Sequence, residues 1–189
     1  MTEKRKIKAV VVGASAGGLF ALKKLLPALP ATFSCPILVV QHMSPHSDNY
    51  MTRMLNDLSQ LTIKEADEKE AILPGTVYIA PPDYHLLVEA DFTLSLSMEE
   101  KVNYSRPSID VLFETAADVY GSHLMGIVLT GASADGAGGL LAVKKKGGYT
   151  IVQHPDDAES PIMPKAAIER TNPHKILTLD KIIALLLQV

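Results

Sequence analysis

Residues 8–22, KAVVVGASAGGLFAL, constrain the fold of this chain more than any other stretch. Ala9 to Val12 form a short, β-branched apolar run, the pattern of a strand buried on both faces of a parallel sheet. The run stops at Gly13. Gly17 and Gly18 follow, and Leu19, Ala21, Leu22, Leu25 and Leu26 then fall at helical spacing. The reading is strand, tight turn, helix, with one hydroxyl, Ser15, in the turn. Such a turn carries Ser15 to the carboxyl end of a central strand and the start of a helix, where outward-pointing N–H groups hold an anion. Two uses fit it: a bound ligand, or Ser15 as a nucleophile.

The rest of the chain repeats the alternation. Strand one covers 7–12 and helix one 17–29, and Pro30 ends that region. Pro36 opens ILVVQ at 37–41, which ends at His42. Strand, helix, strand in so short a span is a parallel βαβ unit with a right-handed crossover. Ser15 and His42 then end neighbouring strands, on the edge where open α/β sheets place their ligands. Ser47, Asp48 and Asn49 are capping residue types ahead of a helix at 50–58. KEADEKE at 64–70 reads as a solvated loop, and Pro74-Gly75 as a turn. After a strand at 77–80, segments 85–89 and 92–98 pair as a small antiparallel hairpin added to the sheet. Ser108 is placed to cap a helix over 109–120. LMGIVLT at 124–130 is another buried strand, and it ends in a second glycine-rich turn, GASADGAGG at 131–139, opening a helix at 140–146. A strand at 149–152, a helix at 161–170, a strand at 176–177 and a helix at 180–187 follow. The expected fold class is α/β: a doubly wound, mostly parallel sheet with helices on both faces and a small antiparallel hairpin.

Length and composition fit one domain over 1–189, since 189 residues that are 47% hydrophobic suffice for a full core. A net charge of −3 offers no basic surface for nucleic acid. Cys35 is the single cysteine, which leaves neither a disulfide framework nor a thiolate zinc cluster; it reads as a buried thiol. No stretch approaches the ~20 apolar residues of a membrane span, and the apolar run behind the basic N-terminus is too short for a secretory signal. A cytoplasmic protein without membrane insertion is expected. His42 and His46 have no carboxylate cluster beside them, so no metal is expected, and no cofactor.

Three parallel strands thus end in Ser15, His42 and Asp135. A serine hydroxyl is unreactive at its own pKa and needs a base within hydrogen-bond reach; an imidazole base needs an acid to fix its tautomer. The expectation is Ser15 on Nε2 of His42, with Asp135 on the other ring nitrogen. The two glycine-rich turns would supply oxyanion donors. Each element also has an ordinary use. A turn serine is more often a cap, a histidine after a strand more often a hydrogen-bonder, and an aspartate before glycine a helix cap. The rival chemistry is nucleotide binding, because GASAGG resembles a dinucleotide-binding glycine loop. Against it, Ser15 stands where the middle glycine should be. No acid lies between Phe20 and Pro45, although a ribose-binding acid is expected about 20 residues on.

The blocks VVVGASAGGLFAL, VVQHMSPH, ILPGTVYIAPPDYH, RPSIDVLF, GIVLTGASADGAGGL and MPKAAI together resemble the catalytic domain of chemotaxis protein-glutamate methylesterases, the CheB family, in that family's order over nearly the whole chain. The resemblance implies a doubly wound α/β fold. It also implies hydrolysis of glutamate methyl esters on the cytoplasmic helices of methylated chemoreceptors, with deamidation of receptor glutamines. Carried over by motif, it implies Ser15 as nucleophile, His42 as base and Asp135 as acid, with Ala16, Gly17, Ala132, Met43 and Arg106 around the substrate and oxyanion. Gly17 and Gly18 are expected to leave room for a substrate backbone.

The chain departs from the family pattern at the acid turn, where Ala132 and Ser133 replace methionine and glycine, and at Ala16, where threonine is common. A backbone N–H survives a change to Ala132, whereas a lost methionine side chain would widen the pocket. Family members usually carry an N-terminal receiver domain, and none is expected here ahead of residue 7. A catalytically silent receptor-binding module is the second reading that these departures leave. Arg106 is read either as a substrate contact or as a structural ion pair, and Met43 as pocket lining or core. His85, His123, His154 and His174 are read as surface or structural residues.

Overall fold

The computed structural model describes residues 6–189. Seven strands form one parallel sheet: β1 (Ala9–Ala14), β2 (Ile37–Gln41), β3 (Thr62–Glu65), β4 (Thr76–Ile79), β7 (Leu124–Val128), β8 (Tyr149–Gln153) and β9 (Lys175–Leu177). Their spatial order is β3-β4-β2-β1-β7-β8-β9. The hairpin strands β5 (His85–Val88) and β6 (Leu94–Ser97) form a separate two-stranded sheet, which corrects the expectation that they extend the main one. They pack instead on a face of the domain through Leu86, Val88 and Leu94. The helices are α1 (Gly18–Leu25), α2 (Tyr50–Leu58), α3 (Ile109–Tyr120), α4 (Ala137–Lys145), α5 (Ile162–Thr171) and α6 (Leu179–Leu186).

Both faces of the sheet are covered, and strand alternation shows it. Val10 and Val12 of β1 join Leu22 and Leu25 of α1, Leu55 of α2 and Ile182 of α6. Ala9 and Val11 join Leu112 and Phe113 of α3, Leu140 of α4 and Met163 of α5. This is why β1, β2 and β7 are continuous apolar runs rather than alternating ones.

Several element boundaries differ from the sequence reading; α4, for one, begins at Ala137 rather than Leu140. Helix one stops at Leu25 and tightens into a 3-10 turn over Leu26–Ala28, because Pro27 lacks the N–H that would continue the α pattern. The charged segment 64–70 is part strand: Lys64 and Glu65 lie in edge strand β3, and Lys64 pairs with Asp67 (2.8 Å) and Glu70 (2.6 Å).

The chain runs outward from β1 through β2 to the β3 edge, then returns to place β7 on the other side of β1. The crossover after β1 packs on one face and that after β7 on the other. The gap between β1 and β7 is therefore a topological switch point, where the strand ends open into a crevice.

Candidate active site

Parallel register carries the expected residues to that crevice. Ala14 of β1 lies opposite Gln41 of β2, and Gly13 opposite Val128 of β7. The next residue on each of the first two strands is Ser15 or His42. The His42 N–H donates to the Ala14 carbonyl (3.0 Å), and the Ser15 N–H to the Thr130 carbonyl (3.0 Å). Buried Gln41 ties both turns together, its Nε2 donating to the carbonyls of Ser15 (2.9 Å) and His42 (3.0 Å). Thr130 Oγ1 donates to the Ala16 carbonyl (2.8 Å), which fixes the peptide after Ser15.

Asp135 is fully buried and accepts five hydrogen bonds. Its Oδ2 takes His42 Nε2–H (2.8 Å) and the Ile109 N–H (2.6 Å). Its Oδ1 takes Asn103 Nδ2 (3.0 Å), Ser108 Oγ (2.8 Å) and the Asp110 N–H (3.1 Å). Two of these donors belong to the first turn of α3, so the carboxylate sits on the positive end of that helix. Burial pushes its pKa up, but the bonds from His42, Asn103, the Ile109 N–H and Ser108 outweigh burial and hold it below the ordinary carboxylate value. Gly13 lets α3 come this close: a Cβ there would overlap the Ile109 side chain.

The ring is turned opposite to the expectation. Asp135 accepts from Nε2, so the proton resides there and Nδ1 carries the lone pair. Ser15 Oγ and His42 make no hydrogen bond in this structure; a nucleophile and its base are often loose before a substrate binds. Ser15, His42 and Asp135 nonetheless meet at one crevice, Ser15 and His42 on adjacent strands and His42 in contact with Asp135.

Sequence reasoning missed the support around this pair. Asp110, one residue into α3, accepts the N–H groups of Gly136 (2.9 Å) and Gly139 (2.6 Å) at the start of α4, and Asn103 Nδ2 (2.7 Å) bridges it to Asp135. Ser108 does not cap α3 through its side chain; its hydroxyl goes to Asp135. Of its two readings, surface or structural, His85 takes the structural one and is buried. Its Nδ1 accepts the Ser108 N–H (3.1 Å), which leaves Nε2 to donate to the Glu100 carbonyl (3.0 Å). The signal was available in RPSIDVLF, where two polar residues flank Ile109 at a helix start.

The turns leave fewer free donors than two glycine-rich loops suggest. The N–H groups of Ser15, Gly18 and Gly131 donate to the carbonyls of Thr130, Ser15 and Ser160. Those of Ala16, Gly17 and Ala132 make no such bond among the described residues. Ser133 Oγ accepts the Asp135 N–H (3.3 Å), so the serine side chain shapes the acid turn. Gly17 has φ 77°, a turn conformation suited to glycine. The room beside Gly17 and Gly18 is taken by the chain itself, against expectation: Glu159 stands over Gly17 and the Gln41 amide over Gly18. A carboxylate where a pyrophosphate would lie argues against nucleotide binding.

His42 and Met43 line a cleft of about 140 Å³ with Pro45, Lys101, Tyr104, Ser105, Arg106 and Pro107. Met43 also packs on the core, so both of its readings hold. Of the two roles left open for Arg106, the geometry shows the structural one. Its Nε and Nη2 bind Asp83 (3.0 and 2.8 Å), and Nη1 binds the carbonyls of Met98 (2.8 Å) and Glu99 (2.9 Å). His123, His154 and His174 bond locally, to Lys6, Asp156 and Thr150, away from the crevice. No helix among the described residues is long and apolar enough to cross a membrane.

Comparisons with known proteins agree with this fold. The family model described as CheB methylesterase matches residues 10–186. A protein of Leptospira interrogans named "Putative protein-glutamate methylesterase/protein-glutamine glutaminase" is 52% identical over 182 residues, 96% of this chain and 94% of that protein. A protein-glutamate methylesterase/protein-glutamine glutaminase of Photorhabdus laumondii is 45% identical over 167 residues, 86% of this chain but 47% of that longer protein. The crystal structure of the Thermotoga maritima CheB methylesterase catalytic domain superposes with a TM-score of 0.92 at 37% identity, covering 96% of this chain and 98% of that one. The chain belongs to the CheB methylesterase family.

Proposed function

We propose that this chain is a protein-glutamate methylesterase of chemotaxis, hydrolysing γ-glutamyl methyl esters on the cytoplasmic helices of chemoreceptors and deamidating receptor glutamines by the same acyl chemistry. The observation that carries the reading is the His42–Asp135 pair, held at one strand end beside Ser15 on the next strand.

Ser15 Oγ attacks the ester carbonyl as His42 Nδ1 takes its proton. The Asp135 carboxylate, kept ionised by its donors, stabilises the imidazolium through Nε2. The tetrahedral oxyanion lies toward the N–H groups of Ala16 and Ala132, beside the positive end of α1. Collapse expels methanol, which takes the proton from Nδ1, and leaves an acyl ester on Ser15. Water, deprotonated by Nδ1, attacks that ester; Ser15 regains its proton and the glutamate is freed. A glutamine substrate follows the same course with ammonia as the leaving group.

The test is methanol release from a methylated chemoreceptor cytoplasmic fragment. The parent chain is expected to release methanol, and Ser15→Ala to lose at least about 10³-fold in kcat. Equal rates for the two would overturn the assignment of Ser15.

A further inference from the structure

A two-residue turn lies on the rim of the His42 cleft. Val102 and Ser105 exchange both backbone hydrogen bonds (3.1 and 2.9 Å) across Asn103 and Tyr104. Both central residues have positive φ, 50° and 61°, as a type I′ turn requires. Asn103 suits that conformation, and its amide explains its presence by bridging Asp110 and Asp135. Tyr104 does not suit it. A bulky residue at positive φ is strained, and glycine is the favoured occupant of this turn position. Nothing inside the chain compensates: Tyr104 is 98% exposed, and no ring contact or side-chain hydrogen bond holds it among the described residues.

The position supplies what the fold does not. Tyr104 shares the lining of the His42 cleft with Met43 and Pro45. At about 140 Å³ that cleft is small beside the roughly 300–1,000 Å³ of pockets that enclose a whole ligand. His42 lines it, so a protein substrate that reaches His42 rests its body on this rim. An aromatic ring standing free on that rim is the side-chain type that anchors interfaces, because it covers a large area with few rotatable bonds.

We infer that Tyr104 is a substrate-contact residue, whose ring packs against the helix surface flanking the glutamyl ester. The inference rests on the proposed methylesterase activity. Its strained backbone and bare ring serve chiefly a macromolecular substrate, whose surface reaches beyond the cleft.

The experiment compares the parent chain, Tyr104→Gly and Tyr104→Phe on two substrates: a methylated receptor cytoplasmic fragment and the γ-methyl ester of N-acetylglutamate. Tyr104→Gly is expected to raise Tm by about 2–4 °C, because the strain is relieved. The same variant is expected to raise KM for the receptor fragment at least about fivefold, and KM for the small ester by a clearly smaller factor. Tyr104→Phe, which keeps the ring, is expected to keep the parent's receptor KM. An active parent whose Tyr104→Gly variant retains its receptor KM overturns this inference alone, as does an equal loss on both substrates. A parent that releases no methanol from either substrate overturns the methylesterase reading as well.

Discussion

Asp110 and Asp135 cap each other's helices. Asp135, the residue before the N-cap of α4, accepts the Ile109 and Asp110 N–H groups that open α3. Asp110, in the first turn of α3, accepts the Gly136 and Gly139 N–H groups that open α4. Asn103 bridges the two carboxylates. Two buried like charges are tolerable here because helix ends and amide hydrogens face each of them. The carboxylate that accepts from His42 Nε2 is thereby fixed by two helices, which hold the direction of its oxygens.

Asp110→Ala leaves the Gly136 and Gly139 N–H groups without an acceptor and frees Asn103. It should destabilise the fold by about 2–3 kcal/mol, read as a lower urea midpoint with unchanged m. A shift within the range of an ordinary surface substitution would show that the exchange of caps carries no stability.

Asp135→Asn should leave the fold recognisable and lower kcat by about 10⁴-fold. Three donors face Oδ1 and two face Oδ2, so the new amide NH₂ turns toward His42 and drives the ring proton onto Nδ1, where Ser15 needs the lone pair. The stability profile should change too. The native carboxyl lies below its ordinary value of 3.8, so its contribution is complete above about pH 4 and is lost as pH falls through the native value. The asparagine variant should therefore show a shallower decline of stability in acid, measured by urea unfolding at a series of pH values. A parallel decline in both proteins would contradict the pairing.

Gly131→Ala should harm chemistry more than folding. Its Cβ would meet the Met163 Cε at 2.6 Å and the Ser15 Cβ at 2.9 Å. The flexible thioether yields, and the serine is displaced. A kcat loss of about 10²-fold with Tm nearly unchanged is expected, as for a sub-ångström to ångström misplacement of a nucleophile. Full activity would mean that Ser15 has slack at this side.

Cys35 is buried, and burial pushes its thiol up from the ordinary value. It should resist iodoacetamide in the native state and label once unfolded, since thiolate is the reactive form. Alkylation should thus leave methanol release intact. Rapid native labelling with loss of activity would place a reactive thiol at the site.

Much of this was legible in the sequence because periodicity and strand ends are local signals. The runs at Val10, Leu38 and Ile127 gave the buried strands, and the residues that end β1 and β2 are the ones brought together. Asp135 was legible as a turn acid beside glycine. What remained hidden depends on pairing across distance. The direction of the His42 ring is set by Asp135 arriving on Nε2, and no spacing encodes it. Gln41 looked like the polar end of a strand, yet its amide joins two turns. His85 looked ordinary because nothing near it in sequence shows that Ser108 would donate to it. The glycines at 17 and 18 suggested open space, but Glu159 and Gln41 come from elsewhere in the chain to fill it. The hairpin was recognisable from alternation, while its separation from the main sheet follows from packing on α3, which alternation does not report.

The central claim is that Ser15 carries the acyl group. It is tested most directly by quenching the chain in acid during turnover of p-nitrophenyl acetate and locating the adduct by mass spectrometry. The account predicts an acetylated peptide containing Ser15, absent in Ser15→Ala, with the burst of p-nitrophenol lost in step. An adduct at another residue, or undiminished turnover by Ser15→Ala, would contradict it.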